Sequence, residues 1–200
     1  MSIIERTNPL NLQYRICIVT SASSPLGVII CKTLLKANAF VLGVDSRPKH
    51  QSLNAGLGTH FQFLQSDASD AKTAEEIIAA AKLKFDGKER IDALVNLVGD
   101  DHGGQRVSAR LSKLAGQVMA SAGTGSIIYV ADGDGDQRAR LARAKSGNGV
   151  RCNVIHRGRD DALGAPLLAY EEAKTHMTAL MRTERCVHAL ALPNLMIEAR

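Results

Sequence analysis

Short apolar runs alternate along this chain with stretches whose apolar residues recur at helical spacing. Residues 15–20 (RICIVT) form a continuous apolar run and read as a buried strand. After a Ser-rich turn, Val28, Ile29, Leu34 and Leu35 recur at helical spacing, which predicts a helix from Pro25 to about Ala37. Residues 39–44 (AFVLGV) and 61–64 (FQFL) read as the second and third strands. Thr73 and Glu76 have capping-box spacing, and Ile77, Ile78 and Ala81 continue a helix that ends near Gly87. Residues 92–98 (DALVNLV) read as a fourth strand, and Arg106 to about Ala120 as a helix. Residues 126–130 (SIIYV) and 150–155 (VRCNVI) supply a fifth and a sixth strand, and one long helix is expected from about Pro166 to Leu190.

Strands that alternate with helices form a parallel sheet covered on both faces. Strands buried on both sides must read as continuous apolar runs, and these do. The expected architecture is α/β: a doubly wound parallel sheet of about six strands with a shortened C-terminal half. Residues 1–14 are read as an N-terminal tail and residues 15–200 as one domain. With 200 residues and 45% apolar content, one substantial core is expected. No apolar run approaches the ~20 residues that cross a bilayer. The first residues lack the apolar block of a signal peptide, so a cytoplasmic protein with no membrane association is expected.

Charge and cysteine content change this picture little. The net charge is +5. It is uneven, because Arg138, Arg140, Arg143, Lys145, Arg151, Arg157 and Arg159 lie in a segment without acidic residues there. Such a run can face nucleic acid or a phosphate-bearing ligand, or simply solvent. With aromatic residues at 4%, base-stacking platforms are scarce, which argues against nucleic acid. Cys17, Cys31, Cys152 and Cys186 are far apart, so no metal site is expected and they read as small buried hydrophobes. The histidines show no metal-binding pairing either. His50, His60, His102, His156, His176 and His188 are read as surface or loop residues, with His102 near the cleft. The acidic run at 132–136 (DGDGD) starts like a calcium loop, but Gln137 and Arg143 occupy the positions where glycine and glutamate are needed.

In a parallel α/β sheet, ligands lie beyond the C-terminal ends of the strands. The first of those ends carries Thr20 to Gly27 (TSASSPLG). A turn that opens a helix can set backbone N–H groups against a pyrophosphate. Ser24 can N-cap the helix, and Pro25 suits its first position. The second strand ends at Asp45, whose carboxylate can accept hydrogen bonds from both hydroxyls of a ribose and would repel a 2′-phosphate. NAD(H) is therefore favoured over NADP(H), and the nearby Arg47 softens that preference.

At these residues the chain resembles the short-chain dehydrogenases/reductases, whose turn reads T-G-x-x-x-G-x-G. Thr20, Ala22, Ser23, Ser24 and Gly27 fit the pattern, while Ser21 and Pro25 stand where its first two glycines belong. Asp67 resembles the family's aspartate after the third strand, which contacts the adenine, with Ala68 beside it. Residues 96–99 (NLVG) resemble its N-N-A-G segment, with Asn96 and Gly99 at the ends. Residues 125–130 and 149–158 resemble its fifth strand and its G-I-R-V-N-x-I-x-P-G segment. The resemblance covers about residues 15–158 and implies a Rossmann-like fold with a nicotinamide cofactor. The implied cofactor residues are Thr20, Ser21, Ser23, Ser24, Leu26, Gly27, Asp45, Asp67, Ala68, Asn96 and Gly99. Ser21 adds a side chain and Pro25 removes an N–H, so weakened binding is expected, with the hydroxyls of Ser21, Ser23 and Ser24 as substitute donors.

The family's chemistry uses a serine at the end of the fifth strand and a Tyr-x-x-x-Lys on the following helix. Here Ala131 and Asp132 stand in the serine's place, and no tyrosine lies between Asp132 and Arg151. One Tyr-x-x-x-Lys occurs later, at Tyr170 and Lys174, on a segment that also reads as an ordinary amphipathic helix. The candidate catalytic residues are therefore Tyr170, Lys174 and Asp132. The implied activity is hydride transfer between a nicotinamide and a small alcohol or carbonyl compound. The alternative is a divergent member without redox activity: a binding or regulatory protein, or a non-redox catalyst. The family's habit of assembling through helices beside its fourth and fifth strands implies a homo-oligomer.

Overall fold

The computed structural model describes residues 12–54, 58–66, 72–85, 89–98, 102–132, 148–157, 191–192 and 195–198. Strand β1 (Ile16–Thr20) leads through a turn into helix α1 (Pro25–Lys36), then β2 (Phe40–Asp45) and β3 (Phe61–Gln65). Helix α2 (Thr73–Lys84), β4 (Ala93–Val98), helix α3 (His102–Ser121), β5 (Gly125–Asp132) and β6 (Val150–Arg157) follow. Two short strands, β7 (Ala191–Leu192) and β8 (Leu195–Glu198), close the order.

The sheet runs β3-β2-β1-β4-β5-β6-β8-β7. Its first six strands are mutually parallel, in the doubly wound arrangement the alternation predicts. Strands β8 and β7 add an antiparallel edge, with Ile155 paired to Ile197 and Leu192 to Leu195. This edge is not legible in the hydrophobic pattern, because runs of two and four residues are too short to show a period.

Side chains of the central strands alternate between two cores, one on each face. Cys17, Val19, Val41, Val95 and Ile128 pack with Val28, Cys31 and Leu34 of α1. Ile16, Ile18, Leu42, Leu94, Ile127 and Tyr129 pack with Ile77 of α2 and with Leu111, Ala115 and Met119 of α3. Each fully buried aliphatic side chain contributes about 1.5–3 kcal/mol, which makes these layers the main source of stability. Leu12, just ahead of β1, joins the first core, and its N–H donates to Ala37 O. Cys17, Cys31 and Cys152 are buried thiols outside any disulfide, as expected of small core residues, and Cys186 lies outside the described residues. Burial pushes the Cys31 thiol up to about 12 and the Cys17 thiol higher still, which keeps both protonated.

Two helix starts differ from the sequence reading. Thr73 does not cap α2; it is buried within the first turn, and Lys72 stands at the N-cap position without a side-chain capping bond. Core packing claims the threonine, and Glu75 and Glu76 favour that helix end through its dipole instead. Helix α3 starts at His102, four residues before the expected Arg106, because Gly103 and Gly104 conceal helical character in the sequence. The long helix expected before Leu190 falls outside the described residues.

Candidate cofactor crevice

The strand order reverses between β1 and β4, so helices leave the sheet on opposite faces there and a crevice opens at the strand ends. Two side chains of the turn stitch this crevice together. The Leu97 N–H donates to Thr20 Oγ1 (3.0 Å), and Ser21 Oγ donates to Leu97 O (3.2 Å). The end of β1 is thereby fixed to the end of β4.

The backbone of the turn keeps the shape that glycine would favour even where glycine is missing. Ser21 has φ +49°, in the left-handed region. Its carbonyl accepts hydrogen bonds from Ser24 N (3.0 Å) and Ser24 Oγ (2.7 Å). Ser24 caps α1 by accepting from Gly27 N at 3.0 Å, and Pro25 fills the first helical position, both as expected. Gly27 is where the turn and the helix touch: a Cβ there would lie 2.2 Å from Ser21 O and 2.8 Å from Ala22 Cα. Only glycine fits, so the close approach of helix to strand end is intact.

The three serine hydroxyls expected as donors for a pyrophosphate are each committed to the protein's own backbone. Ser21 Oγ donates to Leu97 O, Ser24 Oγ to Ser21 O, and Ser23 Oγ to Pro48 O (2.9 Å). They shape the turn rather than offering O–H groups to an anion. Pro25 has no N–H, and Ser24 takes the amides of Gly27 and Val28. The Leu26 amide is left as the first-turn donor that could meet an anion.

Asp45 ends β2 beside this turn, and its side chain is 4% exposed. Oδ2 accepts from Ser23 N (2.9 Å) and Arg47 Nη2 (3.0 Å), and Oδ1 accepts from Arg47 N (2.9 Å) and Arg47 Nε (3.1 Å). Burial pushes the carboxyl up, but the bonds from Arg47 and Ser23 outweigh it and hold Asp45 below the usual carboxylate range. The same pairing raises Arg47 further. Ser23 also ties down the segment after β2, because His50 N donates to Ser23 Oγ at 3.2 Å.

Asn96, on β4, is fully buried, with its Nδ2 donating to Ser112 Oγ of α3 (2.7 Å). Its register partner on β5 is Tyr129. Burial raises the Tyr129 hydroxyl to about 12, with Ser112 pulling the other way. Asn96 therefore braces α3 against β4. Nothing in the sequence marks Ser112 as its partner, since one serine on an amphipathic helix carries no pattern.

The structure brings Thr20, Ser21, Ser23, Ser24, Leu26, Gly27 and Asp45 together at one end of the sheet, with Asn96 behind them. Asp67, Ala68, Gly99, Tyr170 and Lys174 lie outside the described residues. Asp132 ends β5, in register with Arg157 of β6, and its side chain is not among those described.

The sequence profile of the family described as short chain dehydrogenase matches residues 15–132, more than half of the chain and every strand from β1 to β5. The chain belongs to the short-chain dehydrogenase family. "Short chain dehydrogenase ple7" of Rhodocybe pseudopiperita is 38% identical over 88 residues, which cover 44% of this chain and 33% of that protein. The match thus spans about a third of that relative's length. "Short chain dehydrogenase andC" of Emericella variicolor is 23% identical over 219 aligned positions, covering 89% of this chain and 81% of that protein. A solved structure titled as an apo SCOR enzyme from Clostridium thermocellum superposes with a TM-score of 0.65. It shares 18% identity and covers 85% of this chain and 87% of its own, a likeness of fold. Members of the family generally bind NAD(P)(H) and act on small molecules. Among the described residues, no helix is long and apolar enough to cross a membrane.

Proposed function

We propose that the protein is an NAD(P)-dependent oxidoreductase that moves a hydride between a nicotinamide and a small alcohol or carbonyl compound. The observation that carries the proposal is the turn from Thr20 to Gly27, which keeps a left-handed residue at Ser21 and a glycine-only contact at Gly27 beside the β1–β4 crevice. In this reading the Leu26 amide meets the pyrophosphate and Asp45 holds the adenosine ribose. The cofactor, when bound, supplies or accepts the hydride. The chain's own residues position it and manage the substrate proton.

NAD(H) is the preferred form in this proposal, because a buried carboxylate ends β2. Arg47, paired with that carboxylate, makes the discrimination small. For the substrate proton we propose Tyr170 with Lys174, and Asp132 as the competing group. The buried cysteines Cys17 and Cys31, outside any disulfide, suit a reducing compartment such as the cytoplasm.

The test is a fluorescence titration with NADH and NADPH. Saturable binding, tighter for NADH and weakened by Asp45→Ala, supports the cofactor site. Turnover lost in Tyr170→Phe with NADH binding retained assigns the proton to Tyr170, and the same result in Asp132→Asn assigns it to Asp132. Binding of neither cofactor at millimolar concentration defeats the proposal and leaves the non-redox reading.

A further inference from the structure

The four bonds to Asp45 have a consequence for cofactor binding. An ionised carboxylate offers about four lone-pair sites, two on each oxygen. All four are filled here, by Ser23 N, Arg47 N, Arg47 Nε and Arg47 Nη2. A ribose diol that binds this carboxylate must displace two of those donors. The amides of Ser23 and Arg47 belong to the backbone of the turn and cannot leave without unfolding it. The guanidinium can, since the Arg47 side chain is 57% exposed and swings into water at little cost.

We infer that Arg47 is a built-in competitor of the cofactor: its guanidinium forms a latch on Asp45 that two ribose hydroxyls replace, one for each released N–H. The inference rests on the cofactor reading above. Binding then requires the unlatched state, and apparent affinity falls by the fraction of molecules in that state. Arg47 thus weakens NADH binding although its charge is opposite to that of the pyrophosphate. It also holds the carboxylate in place when no ligand is bound, so the latch protects the turn while it obstructs the site.

Arg47→Lys separates the latch from the charge. Lysine keeps the positive charge near the anionic ligand but cannot supply the two-pronged planar fork. NADH fluorescence titrations of wild type and Arg47→Lys at one fixed ionic strength, with melting temperatures of the ligand-free proteins, decide the matter. The expected result is NADH binding about three- to tenfold tighter in Arg47→Lys, from a partly exposed pair of about 1 kcal/mol. A lower melting temperature of the ligand-free variant accompanies it. A residue that merely stabilised the site would lower affinity and melting temperature together. If wild type binds NADH and Arg47→Lys binds it equally or more weakly, the latch is refuted and the cofactor reading survives. If neither protein binds NADH at millimolar concentration, the cofactor reading itself fails and takes the latch with it.

Discussion

Asn96 Nδ2 donates to Ser112 Oγ across 2.7 Å, and both side chains are sealed from solvent. Asn96 Oδ1 has no hydrogen-bond partner among the described residues. The bond to Ser112 is therefore what compensates a buried amide between β4 and α3. Ser112→Ala leaves that amide unpaired, and an unsatisfied buried group costs about 1–3 kcal/mol. Urea unfolding should show a loss in this range. Ser121→Ala is the control: that hydroxyl donates to Gln117 O at the exposed end of the same helix, and its loss should stay within about 0.5 kcal/mol. Equal effects of the two substitutions would contradict the bracing role of Asn96.

Gly27 and Gly58 separate two reasons for conserving space in a backbone. A Cβ at Gly27 would meet Ser21 O at 2.2 Å, with backbone atoms that cannot rotate away. Overpacking of this kind costs about 1–3 kcal/mol or more, so Gly27→Ala should lower the unfolding free energy strongly and displace the turn. Gly58 has φ +65° but open space around its Cβ position. Gly58→Ala should cost only the left-handed penalty, about 1–2 kcal/mol. Chemical denaturation of the two variants side by side checks the order, and a Gly58→Ala loss as large as that of Gly27→Ala would overturn it.

The strands of this fold were readable because burial on both faces removes alternation. Every residue of β2 from Phe40 to Asp45 is buried, so the run stands out as apolar up to a single terminal carboxylate. The helix starts were less readable, because local and tertiary preferences disagree there. Thr73 looks like a cap and is instead packed inward, and Gly103–Gly104 look like a loop and are helical. The turn was legible as a motif, and its Ser24 cap and Pro25 start follow from local chemistry alone. What the motif could not show was hydrogen-bond commitment. Whether the hydroxyls of Ser21, Ser23 and Ser24 face a ligand depends on Leu97 and Pro48, carbonyls distant in sequence. The saturation of Asp45 likewise needed coordinates, because Arg47 two residues away could as well have pointed into solvent.

Ser21 carries a cost and a gain that substitutions can separate. Its left-handed φ of +49° costs about 1–2 kcal/mol relative to glycine. Its hydroxyl bond to Leu97 O returns about 0.5–1.5 kcal/mol. Ser21→Gly relieves the first and loses the second, so stability should change little. Ser21→Ala keeps the strain and loses the bond, and should be destabilised by about 1 kcal/mol. Thermal unfolding of the two variants distinguishes them, and equal losses would show that the left-handed backbone carries no penalty here. Under the proposed function, Ser21→Gly also clears the approach to the turn and should tighten NADH binding.

Asp45 should leave a signature in the acid limb of stability. Its folded pKa lies below the ordinary unfolded value of about 3.9. A depressed carboxyl contributes stability that is fully present above the unfolded value and is lost as pH falls through the folded one. Below both values the contribution vanishes. Asp45→Asn has no carboxyl to protonate at this position, so its unfolding free energy should fall less steeply than that of wild type as pH drops below about 4. Arg47→Ala acts on the titration itself. It removes the guanidinium bonds that lower the pKa and leaves the two backbone amide bonds set against burial, which raises it, so the folded value moves up toward the unfolded one. Its acid limb should therefore also be shallower than that of wild type, with less stability lost as pH drops below about 4. Urea midpoints of the three proteins between about pH 2 and pH 6 make the comparison. Superimposable acid limbs would mean that the Asp45–Arg47 pair does not persist in solution, and the latch would then have nothing to hold.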